Sequence, residues 1–209
     1  MEHRNKIAQF LESQGYKQQA LDVSLDPDHR FELAISLQQL DLASKIAREQ
    51  NPLDNNKFKA LSETALSMGR FDLAEAALQQ AQDWEALLLL HSTTGNKVAM
   101  EAVAKHSHEH GRFNVAFMAS FMLGKVSDCV DLLVAARRIP EAALFARTYA
   151  PSRLSGLVKL WKASLIPTNP RAAEALADPL EYDNLFPDIA WVFTCFFYLC
   201  LSFLLGSQG

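Results

Sequence analysis

Glycine and proline are scarce in this chain of 209 residues, eight of each, and the segments between them are rich in Ala, Leu, Gln and Glu. Those are strong helix formers, so the composition predicts an all-α protein with hardly a strand. A basic excess is missing as well. The 20 Lys and Arg are outweighed by 24 Asp and Glu, for a formal net charge of -4, and this leaves no positive face of the kind nucleic acid requires. Three cysteines, Cys129, Cys195 and Cys200, are too few for a disulfide framework, and a reducing, cytosolic setting fits them. The opening residues, Met1 to Lys6, lack the basic and then apolar pattern of a secretory signal.

Nucleotide and hydrolase motifs are also lacking: no GxxxxGK[ST], no GxGxxG and no GxSxG occurs. Residues with reactive chemistry are few. His106-Ser107-His108-Glu109-His110 places His106 and His110 four apart on one helix face, the spacing of a metal pair. Further ligands are far along the chain, and a solvated helix end before Gly111 is the simpler reading. Cys129 stands among Val126, Val130 and Leu133 on an apolar face, so it reads as a packing thiol and not a nucleophile. Arg137, Arg138, Arg147, Arg153, Lys159, Lys162 and Arg171 make the stretch 137–171 locally basic. That stretch could meet acidic lipid or an acidic partner, although scattered charge on a solvated helical face also accounts for it. No catalytic, cofactor-binding or metal-binding residue is assigned. No cofactor, nucleic acid or small-molecule substrate is expected.

What the chain does contain is a recurring turn followed by an amphipathic helix. In Gly69-Arg70-Phe71-Asp72-Leu73-Ala74-Glu75-Ala76-Ala77-Leu78, Gly69 ends one helix in the left-handed conformation and the next begins at once. Phe71, Ala74 and Leu78 line one stripe, with Leu73, Ala77 and Ala81 beside it, and the spacing predicts that this stripe is buried. Gly15-Tyr16 repeats the arrangement, and turn signals return at Leu40, Gly95 and Gly124, about 25 to 30 residues apart. Trp84 to Leu90 and Asn114 to Leu123 are apolar almost all round and predict burial on both sides, while Val98, Ala99, Ala102 and Val103 are expected to face inward. Pro27, Pro140, Pro151 and Pro170 sit where helices begin, with Asp26 placed to cap the first. The expected architecture is an irregular TPR-like α-α hairpin solenoid over residues 1–177. An irregular acidic and aromatic segment follows at 178–188.

Residues 189–209 form an apolar tail, uncharged from Ile189 to Leu205, about the minimum length for a membrane span. Three readings stay open for it: a C-terminal membrane anchor, a terminal helix packed on the solenoid, or sequence foreign to the native protein. Glu181, Asp183 and Asp188 flank it, so the positive-inside rule has nothing to act on.

Several longer stretches carry a family resemblance: Gln14-Gly15-Tyr16-Lys17-Gln18-Gln19-Ala20-Leu21, Asp26-Pro27-Asp28-His29-Arg30-Phe31-Glu32-Leu33-Ala34, Asn114-Val115-Ala116-Phe117-Met118, Arg147-Thr148-Tyr149-Ala150-Pro151-Ser152, Val158-Lys159-Leu160-Trp161 and Ala177 to Pro187. In this order, from about Ile7 to Pro187, the chain resembles the coatomer beta-prime family in the later part of its helical solenoid, without that family's WD-repeat propellers. The resemblance implies a non-enzymatic scaffold segment of a vesicle coat in Golgi-to-endoplasmic-reticulum and intra-Golgi transport. It further implies contact with other coatomer subunits, chiefly the alpha subunit, and with the Golgi or vesicle membrane through the assembled coat, from a cytoplasmic, peripheral location. After Pro187 the chain departs from the family's polar, acidic pattern. A free-standing TPR-like peptide-binding adaptor, tail-anchored or not, is the alternative from a different class.

Overall fold

The computed structural model describes residues 2–51 and 54–189, so all but the first residue of the apolar span read at 189–205 lies outside the described residues. Among the described residues the regular structure is helical throughout. In chain order the helices are α1 (Glu2–Ser13), α2 (Lys17–Val23), α3 (Pro27–Ser36), α4 (Leu40–Gln50), α5 (Asn55–Ser67), α6 (Phe71–Gln80), α7 (Trp84–Thr94), α8 (Lys97–Glu109), α9 (Phe113–Met122), α10 (Val126–Ala135), α11 (Ile139–Tyr149), α12 (Leu154–Leu165) and α13 (Pro170–Ala175). A short 3-10 turn, Pro151–Arg153, leads into α12. Two compact units, Met1–Val103 and Ala104–Gly209, divide the chain. Among the described residues no helix is long and apolar enough to cross a membrane.

One turn builds most of this. Gly15, Gln38, Gly69, Gln82, Gly95, Gly111, Gly124 and Arg137 all take a positive φ. At each, the N–H of the left-handed residue donates to the carbonyl three residues back at 2.8–3.3 Å, and the next N–H donates to the carbonyl five back at 2.7–3.1 Å. This is the Schellman closure, which satisfies carbonyls that a helix end otherwise leaves unpaired. The residue carrying the second bond is also the one from which the next helix starts. With so short a link, consecutive helices must fold back on one another. Four positions after that starting residue stand Ala20, Ala43, Ala74, Leu87, Met100, Ala116, Cys129 and Ala142, each no more than 5% exposed and mostly small. A small side chain there lets the adjoining helix approach closely.

The turn expected at Leu40 closes two residues earlier, at Gln38, and Leu40 is the first residue of α4. Proline behaves as the sequence predicts: Pro27 and Pro170 open α3 and α13, and Pro140 lies in the first turn of α11. Asp26 accepts from the Asp28 N–H at 3.2 Å, and Asn169 from the Ala172 N–H at 3.1 Å.

In the first unit α1 and α2, α3 and α4, and α5 and α6 pack as hairpins, with α2 against α3, α4 against α5 and α6 against α7. The core runs through Phe31, Ala34, Leu40, Ala43, Ile46, Ala47, Phe58, Leu61, Ala65, Ala74, Ala77 and Ala81. In the second unit α9, α10, α11, α12 and α13 pack successively. Its core gathers Val130, Leu133, Ala142, Ala143, Ala146, Leu154, Leu157, Val158 and Ile189. Phe71 does not join the first core: it is 54% exposed, and Ala74, Ala77 and Leu78 carry the contact instead. Val98 and Leu89 are likewise 78% and 66% exposed, while Met100 and Val103 turn inward on α8. The close approach set by the turns favours small residues at the seam and leaves large ones outside.

Lys57, on the first turn of α5, ties three helices together. Its ammonium donates to Asp28 of α3 and Gln50 of α4, lies 3.8 Å from Asp54, and stands 5.8 Å from the centre of the Phe31 ring. The Lys57 hydrogen bond and charge hold the Asp28 carboxyl below its ordinary value of 3.8. A carboxyl lowered on folding contributes stability above its unfolded pKa and loses that contribution as pH falls through the folded one. Acid unfolding followed by circular dichroism is expected to show Asp28→Asn less stable than the parent at neutral pH. The two should converge as pH falls through the lowered pKa of the folded parent's Asp28, where that charge is lost.

The turns make a second prediction with opposite signs at equivalent places. A Cβ at Gly124 would meet nothing within 4 Å, so Gly124→Ala is expected to cost about 1 kcal/mol through left-handed backbone strain alone. Arg137, at φ 59°, already carries that strain. Arg137→Gly is expected to stabilise by about 0.5 kcal/mol, after the greater freedom of glycine in the unfolded chain is deducted. Urea midpoints of the two variants measure both.

Candidate interaction surface

The histidine cluster closes the end of α8 through local contacts. His110 Nδ1 lies 2.7 Å from the His106 carbonyl oxygen, His106 Nδ1 lies 3.4 Å from Glu109, and the His108 ring meets the Phe113 ring edge-on at 5.7 Å. Among the described residues no group of three His, Cys, Asp or Glu side chains could hold a metal ion. Cys129 is fully buried and its thiol points at the Phe117 carbonyl oxygen, 3.8 Å away. Burial, reinforced by the neighbouring charge of Asp128, raises the thiol to about 11. It is therefore protonated at neutral pH and packs as a small apolar group.

The basic stretch is engaged within the second unit. Arg138 donates to Glu141 at 3.2 Å and to Asn114 at 3.1 Å, and Arg153 donates to Asp131 at 2.7 Å and to Ser127 at 3.2 Å. Arg147 lies over the Phe186 ring at 5.7 Å. Lys162 is 3.8 Å from Glu181 and Lys159 is 3.9 Å from Asp178. Asp178 is nearly fully buried, accepting from the Ser155 hydroxyl at 2.9 Å and the Leu180 N–H at 3.0 Å. These five cations hold loops and helix starts in place within the unit. No local pattern marks Asp178 for burial, because a lone Asp before Pro179 looks like an ordinary turn residue.

Exposed apolar side chains are a notable surface feature and are spread along the chain, with two local groupings. On α1, Ile7 and Phe10 are 51% and 64% exposed. Across α9 and α11, four rings form a chain in the second unit. Phe117 stacks on Phe121 at 6.1 Å, Phe121 meets Phe145 at 6.0 Å and Tyr149 at 5.7 Å, and Phe145 lies 4.7 Å from Tyr149. Phe117 and Phe145 root the chain in the core. Phe121 and Tyr149 present it to solvent, with Met118 and Met122 exposed on the same helix as Phe121. The expectation of burial on both sides for 114–123 fails here: only Val115, Ala116, Ala119 and Ser120 are buried on α9. Rigid aromatic rings with adaptable methionines match the composition of interface centres.

Comparison with known proteins places this geometry in a family. A family model described as the COPA/B TPR domain matches residues 1–162. The chain is 49% identical over 184 residues to coatomer subunit beta'-1 of Oryza sativa subsp. japonica, covering 88% of the chain and 20% of that protein. It is 48% identical over 192 residues to human coatomer subunit beta', covering 92% and 21%. With coatomer subunit beta'-1 of Arabidopsis thaliana it shares 50% identity over 187 residues, covering 90% and 20%. The chain thus spans about a fifth of the length of the relatives it matches.

Burial makes a direct prediction for Cys129. Alkylation with iodoacetamide at pH 8, read by mass spectrometry on the peptide containing Cys129, is expected to leave this thiol unmodified in the folded chain and to modify it fully in urea. Rapid native labelling would show the thiol to be accessible.

Proposed function

We propose that this chain, which belongs to the COPA/B TPR-domain family, is a structural scaffold segment of a coatomer vesicle coat that acts by solenoid-to-solenoid contact without catalysis. The observation that carries the reading is the family match over residues 1–162, together with near-half identity to coatomer beta' subunits along most of the chain. The repeated hairpins support it, because a stack of short helices offers extended side surfaces for docking instead of a closed pocket.

In this reading residues 1–177 form the solenoid, 178–188 the irregular segment that closes on Asp178, and 189–209 a separate tail. The partners are other coatomer subunits, chiefly the alpha subunit, and the coat carries the chain to Golgi and vesicle membranes from the cytoplasmic side. Transport from the Golgi back to the endoplasmic reticulum and within the Golgi is the process it serves. The exposed rings Phe121 and Tyr149 are the surface we assign to the alpha-subunit contact.

Titration calorimetry with purified alpha-subunit solenoid tests this. Micromolar or tighter binding is expected, with the double variant Phe121→Ser/Tyr149→Ser weakened about tenfold or more, as loss of exposed aromatic anchors typically costs. Both side chains are substantially exposed, so the variant should keep its helical spectrum. Absence of binding by the well-folded parent chain would refute the coat reading. Unchanged binding by the double variant would refute only the assignment of the surface.

A further inference from the structure

Many helices in this chain start from residues that local helix physics disfavours. Ser, Thr, Asp and Asn supply the oxygen that a helix start needs, and a positive charge there opposes the helix dipole. Yet Arg70, Arg112, Lys125, Arg138 and Arg153 directly precede α6, α9, α10, α11 and α12, and none caps its helix with its side chain. A local rule broken this often implies a gain made elsewhere in the structure.

For Arg70, Arg138 and Arg153 the gain lies two helices back. The Gln39 amide donates to Gln18 at 2.8 Å, Arg70 to Asp41 at 3.4 Å, Arg138 to Asn114 at 3.1 Å and Arg153 to the Ser127 hydroxyl at 3.2 Å. In all four pairs the donor directly precedes a helix, and the acceptor is the second residue of the helix two earlier: α4 to α2, α6 to α4, α11 to α9, α12 to α10. Lys57 repeats the pattern from the third residue of α5 to Asp28, the second residue of α3. The acceptor sites suit their own helices, since a polar or acidic residue in a first turn is favoured by the dipole.

We infer that this ladder of side chains sets the angle at which successive hairpins stack, and so acts as a register device built into the repeat. Apolar contact through alanine seams is non-directional and tolerates rocking of one helix on another. A hydrogen bond between helix ends removes that freedom, because it fixes one end of a lever about 15 Å long for ten residues. The Arg70, Arg138 and Arg153 rungs are substantially exposed and each adds little to overall stability. Their effect is on geometry, and the rungs that are ion pairs, such as Arg70–Asp41 and Arg153 with its Asp131 bond, weaken with salt. The Arg153 rung is the most elaborate, adding bonds to Asp131 at 2.7 Å and to the Ser127 carbonyl at 3.2 Å. The inference rests on the helical stack alone and stands apart from the coat reading.

Double electron-electron resonance on the full chain tests it, with Cys195 and Cys200 replaced by Ser and the buried Cys129 retained. Spin labels at Asp128→Cys on α10 and Gly156→Cys on α12 report the spacing of those helix starts. Arg153→Met is expected to broaden the distance distribution about twofold while leaving the helical spectrum native, and 1 M salt should broaden the parent but not the variant. A distribution of unchanged width in a natively helical Arg153→Met chain overturns the inference. A second arm covers the case in which that variant misfolds, with labels at Lys45→Cys on α4 and Gln79→Cys on α6. Arg70→Asp should broaden that distribution by setting two carboxylates against each other, and Arg70→Asp/Asp41→Arg should narrow it again with the rung reversed. A double variant as broad as the single one also overturns the inference.

Discussion

The hydrogen bond from the residue after each left-handed turn to the carbonyl five residues back is the constraint on which this structure depends. It ends one helix and places the starting residue of the next in a single step. Because the link is so short, neighbouring helices cross close to their joined ends, and the residue four positions into the new helix lies against its neighbour. Alanine fills that position in five of the eight turns, at Ala20, Ala43, Ala74, Ala116 and Ala142, and Cys129 is nearly as small. Close packing at the seam, antiparallel hairpins and a stack of repeats all follow from this local closure.

That dependence explains which parts of the fold were legible in the sequence. Gly15, Gly69, Gly95 and Gly124 announce their turns because glycine alone reaches positive φ without strain. Gln38, Gln82 and Arg137 occupy the same conformation and give no such signal, so the expected period between Gly69 and Gly95 contains a second closure, at Gln82, that no glycine marks. The starts of α3 and α13 were legible for an equally local reason, an Asp or Asn followed by Pro. Burial was harder. Periodicity marks Phe71, Leu78 and Ala74 alike as one stripe, yet the seam accepts Ala74 and Leu78 and turns Phe71 outward. Hydrophobic pattern identifies a face that is apolar, whereas steric approach decides which of its members fit.

The same reasoning applies to the surface cations. Read linearly, residues 137–171 carry a concentration of positive charge. In three dimensions Arg138 and Arg153 bind the second residues of earlier helices, Lys159 and Lys162 approach acidic residues of the 178–181 segment, and Arg147 lies over Phe186. Sequence could not show this, because every partner except Glu141 is distant along the chain. The packing role of Cys129 was legible, since it needs only the apolar neighbours on its helix face: the one described thiol is buried with its proton held by burial.

A seam of alanines has an energetic consequence that bears on the surface. Each alanine buries little apolar area, and helices of 10 to 13 residues are marginal on their own. Cohesion must therefore come from summing many modest interfaces along the stack, as in other repeat proteins. Large apolar side chains would add more per residue if they were buried, yet Phe121, Met118, Met122 and Tyr149 remain exposed in the second unit. They cannot serve the seam, which has no room for them, and their exposure carries a solubility cost that packing within the chain does not offset. That cost is offset when another surface covers the rings. A stack held together by small residues and displaying large ones suits the docking role we propose for this chain.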